Sequence, residues 1–350
     1  MSIGPSGNSE SPRILIVRLS AIGDVIHGMP LACSLRARFP RAFLAWVVQQ
    51  RGAELLAGHE ALDELIVLPR GFLKSPGTLW QLRRRLRSLS FDYAIDAQGL
   101  SKSALVGYLS GARRRIGYGN PWGRELSQWL NTELVDTVAE HAVDRHLELL
   151  RPLGIESPAV EFKVPEHSCD RIAAEAIIAE SGVQDGFGII NVGAGWPSKL
   201  WPPGRYAAVA AYLGNRHSLP TLVISGSRQE RERAEEISAG SLRFAKVAPP
   251  ISLAQLAALA RRARLFLGSD TGPLHLAAAA GTPCLGLYGP WPAKGHGPYG
   301  KQHLVLQKMC FNGSTRKRRN APPTYMEAIT VQMVCRACDR LLNRRSWNVA

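Results

Sequence analysis

Apolar residues follow two alternating spacings along this chain. Residues 13–19 form an almost unbroken apolar run bounded by Ser20 and Gly23, as a strand buried on both faces requires. Residues 24–39 then carry Val25, Ile26, Met29, Leu31 and Leu35 at helical spacing, and Pro40 stops them. The alternation continues with strands over 42–48, 65–68, 93–96 and 114–117 and helices over 78–89, 101–109 and 140–150. Residues 152–165 contain Pro152, Pro158, Pro165 and Gly154 and no helical period, which predicts a domain junction. Beyond it the pattern restarts, with strands over 188–192, 221–225, 265–267 and 283–288 and helices over 203–213, 230–238, 253–260 and 273–280. Strands alternating with helices predict an α/β protein built from open parallel sheets. Two doubly wound domains are expected, 13–160 and 161–325. A Gly/Ser/Pro-rich disordered leader (1–12) precedes them, and a helix within 326–350 is expected to pack back on the first domain. Ligands of such sheets bind outside the carboxyl ends of the strands, so the expected site is a cleft between the two domains.

Composition narrows the class. With 350 residues, 45% hydrophobic and 20% charged, the chain is an ordinary globular protein. The leader lacks the apolar core of a signal peptide, and the longest uncharged stretch, 271–293, is broken by glycines and prolines, so no membrane span is expected. Six cysteines make no disulfide framework and suit a reducing cytosol. Cys335 and Cys338 would need partners such as Cys310 and His303 to hold zinc.

The net charge of +15 is concentrated: residues 70–124 sum to +9 and residues 301–350 to +8, while the rest sum to −2. Such patches suit an anionic partner, or a solubilising surface.

The motifs exclude as much as they suggest. No G-x-G-x-x-G follows the first strand, and no P-loop, H-E-x-x-H, EF-hand or G-x-S-x-G is present. Three strand-to-helix loops remain. In Leu19-Ser-Ala-Ile-Gly-Asp-Val-Ile-His27, Asp24 is either a carboxylate favouring the helix dipole or a general base facing the cleft. In Asn191-Val-Gly-Ala-Gly-Trp-Pro-Ser-Lys-Leu-Trp-Pro-Pro203, Ser198 and Lys199 can hold an oxyanion. In Leu267-Gly-Ser-Asp-Thr-Gly-Pro-Leu-His-Leu-Ala277, the Thr271 and Gly272 amides suit a phosphate. There His275 is a further donor or a core histidine, and Asp270 a possible N-cap.

Taken together, the Gly23-Asp24-Val25 turn with His27, the Lys199-Leu-Trp-Pro202 loop, Asp270-Thr-Gly-Pro-Leu-His275 and Tyr288-Gly-Pro290 resemble glycosyltransferase family 9, the bacterial heptosyltransferases. Asp96-Ala-Gln-Gly-Leu-Ser-Lys-Ser103 resembles the lipopolysaccharide heptosyltransferase I branch. The resemblance spans residues 13–299 and implies a GT-B fold, two Rossmann-like domains facing a cleft. It implies an inverting transfer, without metal or other cofactor, from an ADP-heptose donor to a Kdo-modified lipid A acceptor.

Carried over by motif, Asp24 becomes the base for the acceptor hydroxyl and Lys199 with Ser198 the neutralising groups for the departing diphosphate. Asp270, Thr271, Gly272 and His275 join the same donor site, with Glu230 on the ribose hydroxyls and Ile251 on adenine. Arg70, Lys74, Lys102 and Arg124 are the candidates for the anionic acceptor. A lipid acceptor further implies a cytoplasmic enzyme in peripheral contact with the inner face of the membrane, with a monomer as the expected state. The basic segment 308–325 lies outside the family pattern, and Arg316 to Arg319 within it are a candidate for membrane recruitment. The rival readings are a nucleotide-sugar epimerase of the same architecture, turning over without an acceptor, and a nucleic-acid-binding protein with steep salt dependence and no need of Asp24.

Overall fold

The computed structural model describes residues 11–344, so most of the expected leader and the last six residues of the C-terminal segment lie outside it. The chain divides into two units at Pro165/Glu166.

The first unit holds strands β1 (Arg13–Val17), β2 (Phe43–Gln49), β3 (Glu64–Leu68), β4 (Tyr93–Asp96), β5 (Arg114–Tyr118) and β6 (Glu133–Val135), all parallel in the order β3-β2-β1-β4-β5-β6. The second repeats this winding with β7 (Gly188–Asn191), β8 (Thr221–Ile224), β9 (Ala245–Val247), β10 (Leu265–Ser269), β11 (Cys284–Tyr288) and β12 (Leu304–Gln307), ordered β12-β11-β10-β7-β8-β9. The winding direction reverses between β1 and β4 in one sheet and between β7 and β10 in the other. The crevices outside the carboxyl ends of those pairs are the natural ligand sites.

β1 works as a central strand because Ile14 to Val17 are wholly buried between β2 and β4. One face of the first sheet packs Leu15 and Val17 against Leu82, Leu86 and Val106 of the helices Pro76–Ser88 and Ser101–Ser110. On the helix Ile22–Arg38, Gly28 is required by a close approach: a Cβ there would stand 2.9 Å from the Trp46 ring. The Trp46 indole in turn donates to Arg18 O at 3.1 Å and ties down the end of β1.

Several expectations change. The unit boundary moves from residue 160 to Pro165 because the strap before it is pinned to the first unit. There His59 Nε2 donates to Phe162 O at 3.1 Å and Lys163 pairs with Glu60 at 2.6 Å. The C-terminal helix expected from residue 326 is broken into Thr324–Glu327 and Val331–Arg344, with Thr330 Oγ1 accepting the Met333 N–H at 3.3 Å between them. The apolar face expected to cover the first domain is used in the second unit's own core, where Val334, Cys338 and Leu341 pack with Leu213, Leu285 and Met326. Cys335 and Cys338 are therefore core thiols, and burial pushes Cys335 up to about 11. Among the described residues, no three His, Cys, Asp or Glu side chains are grouped to hold a metal ion.

Candidate active site

In the first unit β1 runs into the loop 18–21 and then into the helix Ile22–Arg38, two residues before the expected start at Asp24. Asp24 therefore lies in the first helical turn, and its Oδ2 accepts the Ala21 N–H at 3.1 Å. The same oxygen pairs with Arg18 Nη2 at 2.8 Å. Arg18 is buried, and its Nη1 donates to Ala97 O at 2.5 Å. The bland reading of Asp24 is met, since it caps the helix, and 35% of its side chain still faces solvent.

The end of β4 supports this corner. Asp96, fully buried, accepts the Gln98 and Gly99 N–H groups at 3.0 and 3.1 Å, and burial raises its carboxyl above the ordinary range against those bonds. Gln98 Oε1 accepts the Leu19 N–H at 2.9 Å, so the ends of β1 and β4 are stitched together. His146 Nε2 lies 3.1 Å from the Ala97 oxygen, and the Arg145 guanidinium lies 3.8 Å from the Trp122 ring centre.

The four acceptor candidates collect at the same edge. Arg70 and Lys74 follow β3, Lys102 opens the helix Ser101–Ser110 after β4, and Arg124 follows β5. Because the sheet is parallel, all four leave from its carboxyl ends, as Asp24 does. The Arg124 N–H donates to Gly99 O at 3.0 Å, which folds its loop over β4. Nearby Glu125 is already engaged, accepting from Ser101 Oγ at 2.7 Å.

The donor candidates collect at the carboxyl edge of the second sheet. Lys199 Nζ sits 2.5 Å from Asp270 Oδ2 and 3.3 Å from Asp270 O, and 4.5 Å above the Trp291 ring. His275 Nε2 meets the other carboxylate oxygen at 3.2 Å. Burial works to raise the Asp270 carboxyl, but the His275 hydrogen bond and the Lys199 charge win and hold it well below the usual carboxylate range. With both oxygens occupied, Asp270 is a post that holds Lys199 and His275. As a direct contact to a nucleotide, its charge would repel a phosphate. It is not the N-cap either: Thr271 caps the helix Gly272–Ala279, and Asn191 Nδ2 donates to Thr271 Oγ1 at 3.1 Å.

Ser198 is buried, and its hydroxyl has no hydrogen-bond partner among the described residues. Glu230 spans the ends of β7 and β8. Its Oε2 accepts the Gly226 N–H at 2.6 Å, and a Cβ on Gly193 would fall 2.4 Å from its Oε1, so any larger residue there would push the Glu230 carboxylate aside. Ile251, half-buried, lies between β9 and the helix Leu253–Arg262. Sequence reasoning missed Arg18, Asn191 and Trp291. The available signal for Arg18 was a charge closing an apolar strand just before a loop that carries a carboxylate.

The sequence profile described as "Glycosyltransferase family 9 (heptosyltransferase)" matches residues 79–325. This chain belongs to glycosyltransferase family 9. The lipopolysaccharide heptosyltransferase 1 of Pseudomonas aeruginosa is 31% identical over 305 residues, covering 84% of this chain and 83% of that one. Its Escherichia coli K12 counterpart is 27% identical over 313 residues, covering 84% and 93%. Among solved structures, a family 9 glycosyltransferase from Veillonella parvula superposes with a TM-score of 0.83 at 23% identity, over 95% of this chain and 98% of that one. The E. coli heptosyltransferase WaaC with ADP gives 0.74 at 25% identity, over 94% and 99%. The chain is thus a glycosyltransferase of the heptosyltransferase family with a two-domain GT-B α/β fold, as the motifs implied.

Proposed function

We propose that this family 9 enzyme moves heptose from ADP-heptose to a Kdo-bearing lipid A acceptor by an inverting, metal-independent displacement. The observation that carries the reading is the shared edge: a half-exposed carboxylate, Asp24, stands with Arg70, Lys74, Lys102 and Arg124 at the carboxyl ends of one parallel sheet. One carboxylate suffices to draw the proton from an attacking hydroxyl, and the four cations suit the carboxylates and phosphates of the acceptor. In the second unit Lys199, Ser198, His275 and the Thr271 and Gly272 amides supply positive charge and donors for the departing diphosphate. Preorganised donors of this kind stabilise a leaving group without a metal. Glu230 and Ile251 complete the donor site on the ribose and the base. Arg18 fixes the base, and Asp270 fixes the cation.

Relatives favour this donor: E. coli heptosyltransferase WaaC has been solved with ADP and with ADP-2-deoxy-2-fluoro heptose. Because the acceptor is a lipid, the reading places the enzyme in the cytoplasm in peripheral contact with the membrane; among the described residues no helix is long and apolar enough to cross it. The test is product analysis with ADP-heptose and a panel of lipid A precursors, with and without chelator. Transfer to Kdo-bearing precursors alone, with an inverted anomeric centre and no chelator effect, is expected. Turnover of ADP-heptose without any acceptor would replace the reading by that of an epimerase.

A further inference from the structure

The helices Pro76–Ser88, Ser101–Ser110 and Ser127–Leu130 pack side by side on one face of the first sheet. Their inner sides supply Leu82, Leu86 and Val106 to the core. Their outer sides are unusual in two ways. None of the three helices contains an aspartate or glutamate. Each exposes an aromatic ring: Trp80 is 61% exposed, Tyr108 50% and Trp129 86%. Cations accompany the rings. The Arg84 guanidinium lies 5.6 Å from the Trp80 centroid, Arg115 lies 5.6 Å from that of Tyr108, and Arg83 and Arg113 are exposed.

A face built only for water looks different. On the helix Arg228–Gly240 of the second unit, arginines alternate with glutamates and pair with them at 3.4 and 3.2 Å, Arg228 with Glu232 and Arg231 with Glu235. On the other face of the first sheet, the helices Ile22–Arg38 and Ala142–Glu148 carry Asp24, Asp144 and Glu148. Single exposed apolar residues are ordinary. Three aromatic rings on three adjacent helices, interleaved with arginines that no acid on these helices balances (Arg85 reaches Glu64 of β3 at 2.8 Å), are not.

We infer that this acid-free helix layer is the surface by which the enzyme lies on an anionic lipid bilayer. Tryptophan and tyrosine settle at the head-group level, where the ring is buried and its polar edge stays wet. Arginine near an anionic surface is attracted to it, by about fivefold in binding for each charge. A second copy of the chain fits poorly, since two such faces would oppose arginine to arginine. The segment 308–325 is the weaker candidate, because its rings, Phe311 and Tyr325, are half-buried against each other at 5.7 Å and not exposed. There Arg319 stacks on Trp196 at 4.1 Å and Arg318 Nε donates to Phe311 O at 3.2 Å. The helices Pro76–Ser88 and Ser101–Ser110 begin at the carboxyl edge that carries Asp24. A membrane on their outer side therefore sets lipid head groups beside Lys74 and Lys102.

The inference rests on the membrane contact in the proposed function and specifies its surface. The test is co-sedimentation of the full chain with phosphatidylcholine vesicles, with and without phosphatidylglycerol, at low and high salt. Binding is expected only with phosphatidylglycerol, and high salt should weaken it. In the Trp80→Ser/Tyr108→Ser/Trp129→Ser variant it should fall about tenfold or more, while transfer to a de-acylated acceptor is unchanged. Equal binding by wild type and this variant overturns the surface. So does selective loss on neutralising Arg316 to Arg319, or a dimer in solution that the triple substitution splits. Absence of vesicle binding by the wild type overturns both the surface and the membrane contact, while transfer to the de-acylated acceptor judges the catalytic reading separately.

Discussion

Asp24 and Asp270 stand at the carboxyl edges of two sheets with the same winding, each against a basic side chain, Arg18 at 2.8 Å and Lys199 at 2.5 Å. Their surroundings divide the labour. Asp270 is 12% exposed and gives one oxygen to Lys199 and the other to His275. Asp24 accepts both the Ala21 N–H and the Arg18 guanidinium at Oδ2, and its side chain is about three times as exposed. In the first pair the cation is the buried anchor and the carboxylate reaches the solvent edge. In the second both partners are about equally buried, and the carboxylate, bound also to His275, is the anchor of an ammonium that lies against Trp291. On the proposed function, one ion-pair chemistry would thus serve as a base on one sheet and an electrophilic clamp on the other, depending on which partner is held.

The strongest break in this comparison is Asp24→Asn. The amide keeps an acceptor for the Ala21 N–H but cannot take a proton. Turnover is expected to fall about 10²- to 10⁴-fold. ADP binding, measured by calorimetry, should stay at the wild-type level. Equal loss of ADP binding would show that Asp24 is not the base.

Next come the two halves of the second pair. Lys199→Ala should cost about 10²- to 10³-fold in turnover, because leaving-group stabilisation is lost, and it should weaken ADP as well. Asp270→Asn should act through stability: it leaves an ammonium that is 13% exposed without its counter-charge. Removing one partner from a buried pair costs about 3–5 kcal/mol, visible as a lowered Tm. An Asp270→Asn enzyme with unchanged Tm and weakened ADP binding would make Asp270 a ligand contact after all.

Arg18→Gln should be milder. The base remains but is less well placed, so kcat should fall about tenfold with the donor KM unchanged, and Arg18→Lys should recover part of it. A raised donor KM would move Arg18 out of the role of holding Asp24.

Much of this was legible along the chain, for a physical reason. Central strands such as β1, β4, β7 and β10 are buried on both faces, so their apolar runs are continuous and visible. The edge strands β6 and β9 have three residues each and β12 four, with polar positions among them, and they escape notice. Asp24 and Lys199 were legible because the loops that bear them resemble a family. Arg18 was not, since an arginine ending a strand looks the same whether it faces water or a carboxylate six residues on. Asp270 was found but given a different task, because its two partners, Lys199 and His275, meet only once β7 and β10 are paired. The break near Thr330 was hidden because apolar spacing continues on both sides of it.

The smallest effect sharpens the contrast by pH. The Asp270 carboxyl is held below its ordinary value, so the stability it supplies is complete above about pH 3.9 and is lost only as the pH falls below that. Mild acid therefore leaves the Lys199 anchor intact. His303 in the same unit also loses stability on acidification, but in a higher pH window. Burial pushes its imidazole down to about 4, and its Nδ1 accepts the Cys284 N–H at 3.1 Å, which needs the unprotonated ring. The unfolded chain takes up that proton first, near pH 6.5. Stability is thus fully present above about 6.5 and falls by roughly 1 kcal/mol per pH unit down to about 4. Thermal melts across this window should show that slope. His303→Asn, which keeps an acceptor for Cys284, should reduce the slope by that one proton and leave the share of His59 and His146, which burial also holds low, whereas Asp270→Asn should lower every Tm without changing the slope. A slope that survives His303→Asn undiminished but vanishes in Asp270→Asn would mean that the anchor itself titrates, and the division of labour between the two carboxylates would fall.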